Sequence, residues 1–286
     1  MTKNPSRKGA LNIGKVPVYL FVCIWAATEL FVLAWMFYSS LKSTPEIYRD
    51  PWSLPSTLNS TGYVTDLQGT GVLHVPLGSF LIHSSIVAFA AIVGIVLIAV
   101  PAGYALSKKS KLNTGVFYLL LATIAIPPPA LLIPEYYLIL NLGLLNNFLG
   151  VILPYISFNI PFSIVLSRAF FRVFPRDLEE AAQIDGLGDF GIFRKIVLPL
   201  STVVVVMLLI VNFPNLWNEL LYTLVILPSN SVKTVQPGLL LMQGGYYVQW
   251  NNVFAGMVLV SLPMMIFYII FQRYILKAQF IGAIKG

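Results

Sequence analysis

Residues 177–186 read Asp177-Leu178-Glu179-Glu180-Ala181-Ala182-Gln183-Ile184-Asp185-Gly186, and nine residues after Gly186 comes Ile196-Val197-Leu198-Pro199. Asp177 can cap a helix, with Glu180 three residues on as its reciprocal partner. Gly186 is a stop signal, because glycine takes the left-handed conformation without steric cost. Asp189 can cap a second short helix, in which Phe190, Phe193 and Val197 share one face. Pro199 marks the entry to a long apolar run. The stretch predicts a compact knob of helix, glycine turn and helix, too ordered for a simple tether.

The knob lies in a chain of 286 residues that is 57% hydrophobic and 10% charged. A soluble domain carries about 25% charged residues, so the bilayer is the natural solvent for this one. A helix crossing the hydrocarbon core needs about 20 apolar residues. Six segments qualify: Val16–Tyr38, Leu77–Leu106, Val116–Leu140, Phe148–Phe171, Leu198–Leu227 and Val253–Leu276. The first is too long, and too poorly followed by a small-residue cleavage site, for a signal peptide. It reads as a retained anchor. The expected organisation is all-α and integral to the membrane. Residues 1–15 form a basic tail, 16–276 the membrane domain and 277–286 a second tail.

Positive charge gives the direction. Fifteen of the 18 Lys and Arg residues fall on one side: the N-terminal tail, the connection between spans two and three, residues 168–195 and the C-terminal end. Only Lys42, Arg49 and Lys233 fall on the other. The excess of Lys and Arg marks the cytoplasmic side, which places both termini and the knob inside the cell. Two outward loops remain, Ser39–Pro76 and Pro228–Asn252. Asn59-Ser60-Thr61 in the first fits a glycosylation triplet that arises readily by chance. The net charge of +7 therefore expresses topology, and no aromatic-interleaved basic motif suggests nucleic acid.

Proline predicts broken spans. Pro127, Pro128, Pro129 and Pro134 lie in the third span, Pro154 and Pro161 in the fourth, Pro214 in the fifth and Pro263 in the sixth. Each removes a helix hydrogen bond and crowds the preceding turn, which is tolerated where a neighbour or cavity re-satisfies the backbone. The triple proline predicts a kink that shapes a pore.

The pattern Glu180-Ala181-Ala182, three residues, Gly186, nine residues, Ile196-x-Leu198-Pro199 resembles the signature loop of binding-protein-dependent ABC importer permeases at every fixed position. Asp185 extends the match. The resemblance covers nearly the whole chain and is similar to the carbohydrate-uptake, MalG-like branch, on Phe170-Phe171-Arg172-Val173-Phe174-Pro175, Trp217-Asn218-Glu219, Phe271-Gln272-Arg273-Tyr274 and Gly282-Ala283-Ile284-Lys285-Gly286. Two departures stand out. His83-Ser84-Ser85 replaces the usual asparagine with threonine or serine, and the Ser39–Pro76 loop is longer than common.

The resemblance implies the type I ABC importer permease fold, with six transmembrane helices. Between helices 4 and 5, a cytoplasmic coupling helix docks into an ATPase. It also implies a second permease subunit, two cytoplasmic ATPases that bind ATP and Mg, and an extracytoplasmic substrate-binding protein. The expected activity is import of an oligosaccharide or related carbohydrate across the cell membrane, by a subunit with no catalytic site or cofactor of its own. A glycerol phosphodiester or polyol is the alternative cargo. An ion-driven secondary transporter is a further alternative, but it would leave the knob idle and would show internal repeats.

Asn212, Asn215 and Glu219 fall within an arc of about 60° at the helical period. With Trp217 and Asn218 they are candidate pore-lining residues, since sugars need hydrogen-bonding groups and aromatic faces. The competing reading is helix–helix packing. Gln243-Gly244-Gly245-Tyr246-Tyr247, in the second outward loop, is the candidate receptor contact. Gly9 to Val16 almost spells a phosphate-binding loop but ends in Val16 where Ser or Thr is required. Glu29 and Glu135 are acidic groups in or near spans. His74, His83 and the single Cys23 have no metal-ligand spacing.

Overall fold

A computed structural model describes residues 15–71, 74–175, 177–244 and 247–283, with side chains to Tyr274. Its elements are α1 (Val16–Ser39), α2 (Thr44–Arg49), α3 (Thr61–Gln68), α4 (Leu77–Ser107), α5 (Lys111–Ile124), α6 (Pro128–Asn141), α7 (Phe148–Arg172), α8 (Asp177–Ile184), α9 (Asp189–Ile192), a π-helical turn (Phe193–Val197), α10 (Leu198–Leu200), α11 (Thr202–Trp217), α12 (Leu221–Ile226), α13 (Val235–Met242) and α14 (Trp250–Ala283). Among the described residues, α1, α4, α7 and α14 are long and apolar enough to cross a membrane, and counting each of two bent helix pairs as one span brings the number to six.

The bends follow the sequence. α5 and α6 meet at 94°, where Pro127 caps α6 and prolines occupy its first turn. The segment from Asp189 to Leu200 meets α11 at 63°, with Ser201 at the break donating its hydroxyl to the Val197 carbonyl at 2.6 Å. The other prolines do not break their spans, contrary to expectation. Pro154 and Pro161 lie inside a continuous α7, and Pro263 inside a continuous α14. Trp217 Nε1 donates to the Val260 carbonyl at 3.3 Å, in the turn before Pro263, and ties α14 to α11 there.

The core is a helix sandwich built on α4 and α7. Val87, Ala91, Ile95 and Ala99 recur every four residues on α4 and are all buried; they form the stripe a packed helix presents. Opposite them α7 buries Val151, Tyr155, Ile164 and Phe171. The two helices approach closely at Gly103, where an added Cβ would fall 2.4 Å from Ser167 Cβ. Small residues at such crossings let membrane helices touch backbone to backbone. α11 closes the core with Val204, Leu208 and Phe213, the last stacked on Phe267 of α14 at 4.3 Å. In α1 only Ser39 is buried, so its apolar faces meet lipid or another chain.

The described part of the long loop after α1 is structured. Lys42 is fully buried, its ammonium donating to the Asp50 carbonyl at 3.0 Å and Ser53 Oγ at 3.1 Å. α2 and α3 pack on the start of α14, through Trp250 Nε1 to Tyr48 OH at 2.8 Å and Thr44 Oγ1 to Asn251 Oδ1 at 2.7 Å. Asn59 Oδ1 accepts from the Thr61 amide and hydroxyl, a local turn that explains Asn-x-Thr there.

Candidate coupling loop and membrane cleft

α8 ends in a reciprocal turn. The Leu187 amide donates to the Ala182 carbonyl and the Gly186 amide to the Gln183 carbonyl, both at 3.0 Å, with Gly186 at φ +81°. This is a Schellman cap, and its left-handed residue carries a Cβ only under strain. A side chain at Gly186 would otherwise meet nothing within 4 Å. Asp189 is the first residue of α9, and Gly188 holds the capping position, which corrects the capping role expected for Asp189.

The loop's fixed positions do not share a face. Ala182 is buried against the helical core, whereas Glu180, Ala181, Asp185 and Gly186 are exposed. The π-helical turn changes the register further on. Ile192 and Val197, five residues apart, are buried, while Phe190 is 74% exposed. The expected face of Phe190, Phe193 and Val197 assumes an unbroken α period, which the wider turn replaces. Ile196 packs against the core; Leu198 and Pro199 face outward. Two apolar side chains missed by the motif, Ile184 at 88% and Phe190, stand on the outer surface of the knob. An exposed apolar pair outside the spans is the signal that could have found them.

Two polar links fasten the knob to the bundle. Tyr104 OH donates to Glu179 Oε2 at 3.0 Å, and Lys108 pairs with Asp189 at 3.0 Å. The Tyr104 ring packs on Phe171 and Phe193, with centroids 5.6 and 5.5 Å away. One aromatic joint thus connects α4, α7 and the loop.

Inside the membrane domain the two broken spans meet at a cleft of about 360 Å³. Pro128 and Pro129 enter it from the bend of the third span, Tyr155 and Asn159 from α7, Glu219 from the gap between α11 and α12, and Tyr222 from α12. Irregular backbone at membrane depth is stable where it lines such a cavity. Glu219 holds the gap together: Oε1 accepts from the Tyr222 amide at 2.9 Å, and Oε2 from Tyr155 OH at 2.6 Å and the Thr223 amide at 3.3 Å. Phe158 meets the Tyr222 ring edge-on at 5.1 Å.

Of the sequence candidates for the pore, Asn215 and Glu219 line this cleft. Asn212 is buried and donates to Ser163 Oγ at 3.2 Å and the Leu208 carbonyl at 2.8 Å. Trp217 is buried against Phe213. Asn218 is exposed and accepts from Gln236 Nε2 at 3.2 Å. Asn212 and Trp217 therefore pack rather than line, because α11 turns one face into the bundle. Tyr155, Phe158, Asn159 and Tyr222 escaped notice, though Tyr155 and Asn159 are a helical turn apart on span four. In the loop between α13 and α14, Gln243, Gly244 and Tyr247 are exposed. Gly245 and Tyr246 lie outside the described residues.

Residues 94–280 match the family described as "Binding-protein-dependent transport system inner membrane component". The chain is 30% identical over 275 residues to the probable ABC transporter permease protein YurM of Bacillus subtilis, covering 96% of this chain and 90% of YurM. It is 31% identical to the sulfoquinovosyl glycerol transport system permease protein SmoH of Agrobacterium fabrum, covering 96% and 95%. It is also 31% identical to the arabinooligosaccharides transport system permease protein AraQ of Halalkalibacterium halodurans, covering 91% and 93%. The crystal structure of a bacterial ABC transporter that imports the acidic polysaccharide alginate contains a chain that superposes with a TM-score of 0.76. The overlap spans 96% of this chain and 99% of that one, at 23% identity, and shows the same fold. This protein belongs to the binding-protein-dependent inner membrane component family, as a multi-pass permease subunit of an ABC importer.

Proposed function

We propose that this permease carries a sugar, an oligosaccharide or related carbohydrate, into the cell. The observation that carries the reading is the cleft at the two broken spans. It offers the Phe158 ring, backed by the buried rings of Tyr155 and Tyr222, beside the amides of Asn159 and Asn215, the combination of stacking surface and hydrogen-bonding groups that sugars require. Relatives named for sulfoquinovosyl glycerol and arabinooligosaccharide transport support the same cargo class.

Family members work with ATPase and substrate-binding subunits. The arrangement proposed here is a second, different permease chain sharing the pore, two cytoplasmic ATPases holding ATP and Mg, and a receptor on the outer side reached through residues 243–247. The loop of Glu180, Ala181, Ala182, Asp185, Gly186, Ile196, Leu198 and Pro199 serves as the coupling element. Both termini, in tails 1–15 and 277–286, lie in the cytoplasm. Closure of the ATPases would rock the permeases between inward-open and outward-open states.

The test is uptake by the complete importer in proteoliposomes, with its receptor, from a panel of labelled oligosaccharides, polyols and glycerol phosphodiesters. Saturable, ATP-dependent uptake of an oligosaccharide is expected. Uptake confined to the polyol or phosphodiester would overturn the cargo assignment.

A further inference from the structure

At the end of the bundle that carries the knob, a second cleft of about 510 Å³ opens between the α4–α5 turn and the last turn of α7. Five cations line it: Lys108, Lys109 and Lys111 from the turn, Arg168 and Arg172 from α7. No carboxylate is among the lining residues. Among the described residues only Lys108 has an acidic partner, Asp189. Arg168 and Arg172 are one helical turn apart, where like charges repel. Asp189 offsets Lys108, and Glu179 and Glu180 share an adjoining cleft with Lys108 and Lys109; among the described residues Lys111, Arg168 and Arg172 have no carboxylate partner.

Arg168 is fixed in place. Its Nε donates to the Leu106 carbonyl at 2.9 Å, and its guanidinium lies over the Phe117 ring, 3.7 Å from the centroid. One edge of the fork is thus occupied and one face covered, which leaves the terminal nitrogens for a planar or tetrahedral oxyanion. α5 begins at the same place. Its capping residue Ser110 is extended and makes no side-chain cap bond, so the first amides of this 14-residue helix add to the attraction for an anion.

The surroundings choose between a soluble and a membrane-borne anion. Leu112, Tyr118 and Leu119 of α5 are 75%, 65% and 66% exposed, and they continue from the cleft as an apolar surface suited to acyl chains. Basic clefts at the cytoplasmic edge of membrane helices suit acidic lipid headgroups. We propose that this cleft seats the phosphate headgroup of an anionic phospholipid of the cytoplasmic leaflet, with its chains along α5. The proposal rests on the cytoplasmic placement of the knob and is independent of the cargo. The lipid would sit beside the Lys108–Asp189 pair that fastens the loop.

The test uses the assembled importer, reconstituted in an equal mixture of phosphatidylglycerol and phosphatidylcholine and then analysed by native mass spectrometry for retained lipid. Lys111 and Arg172 make no internal hydrogen bond or ion pair, so K111Q/R172Q should leave the fold intact. R194Q/K195Q removes two exposed cations outside the cleft and serves as the control. Wild type and control should retain phosphatidylglycerol in preference to phosphatidylcholine, and K111Q/R172Q should lose one tightly held molecule per chain. Equal retention by K111Q/R172Q, or no preference in wild type, overturns the proposal. Displacement of the retained lipid by inorganic phosphate also overturns it, in favour of a soluble anion. The readout is lipid, so failure leaves the transport assignment standing.

Discussion

Tyr104, on α4, donates its hydroxyl to Glu179 of α8 at 3.0 Å. This joins the core helix that packs along α7 to the loop proposed to face the ATPase. Tyr104→Phe keeps the ring contacts with Phe171 and Phe193 and removes only the link, at a cost of about 1 kcal/mol. Expression and membrane insertion should be unchanged, while ATP hydrolysed per sugar moved should rise. An unaltered ratio would show that this link carries no motion.

The cleft prediction separates lining from support. Asn215 donates only within its own helix, to Val211 at 3.2 Å. Asn215→Ala should therefore raise the KM for uptake several-fold with little change in stability. Glu219→Ala should destabilise the protein by about 2 kcal/mol or more, because it strips charge-assisted bonds from the gap between α11 and α12. Thermal melting measured beside uptake distinguishes the two.

Asp66, on α3, predicts a pH dependence of stability. It is 3% exposed, and its Oδ2 has no hydrogen-bond partner. Burial raises its pKa from 3.8 to about 7. Between those values the folded chain holds a proton that the unfolded chain has released. Stability is thus highest at and below about pH 4, falls as pH rises towards 7 and levels off above it. Asp66→Asn should flatten this slope and melt higher than wild type at pH 8. A slope identical to wild type would contradict the assignment.

Topology has a direct check. A cysteine at Gly188, in a Cys23→Ala background, should be unreachable from outside intact cells by an impermeant thiol reagent. Gly188 has open space around its Cβ position, so the substitution itself is benign. External labelling would invert the proposed orientation.

The spans could be read from composition, and the sharp bend of the third from Pro127-Pro128-Pro129, because both depend on local chemistry. Gly186 was readable for the same reason. Ala181 and Ala182 were not separable, since only tertiary packing turns one inward and leaves its neighbour exposed. The π-helical turn after Ile192 has no sequence period of its own; it keeps Phe193 and Val197 inward, adds Ile192 and leaves Phe190 outside. Pro154, Pro161 and Pro263 were expected to break helices that tertiary contacts keep whole. The cleft was half visible: Tyr155 and Glu219 are 64 residues apart, and their hydrogen bond exists only because the continuous α7 packs against the gap between α11 and α12.

The central claim is that the glycine-capped loop couples ATP hydrolysis to transport, and Gly186 tests it. Its φ of +81° strains a β-branched residue by about 1 kcal/mol or more, whereas asparagine tolerates the left-handed region. Open space around the position removes any steric explanation. The measurement is sugar uptake and receptor-stimulated ATP hydrolysis, side by side in proteoliposomes, for Gly186→Val and Gly186→Asn at matched membrane levels. The account predicts that both activities collapse together in the valine variant and largely survive in the asparagine variant. Normal uptake by Gly186→Val would contradict it.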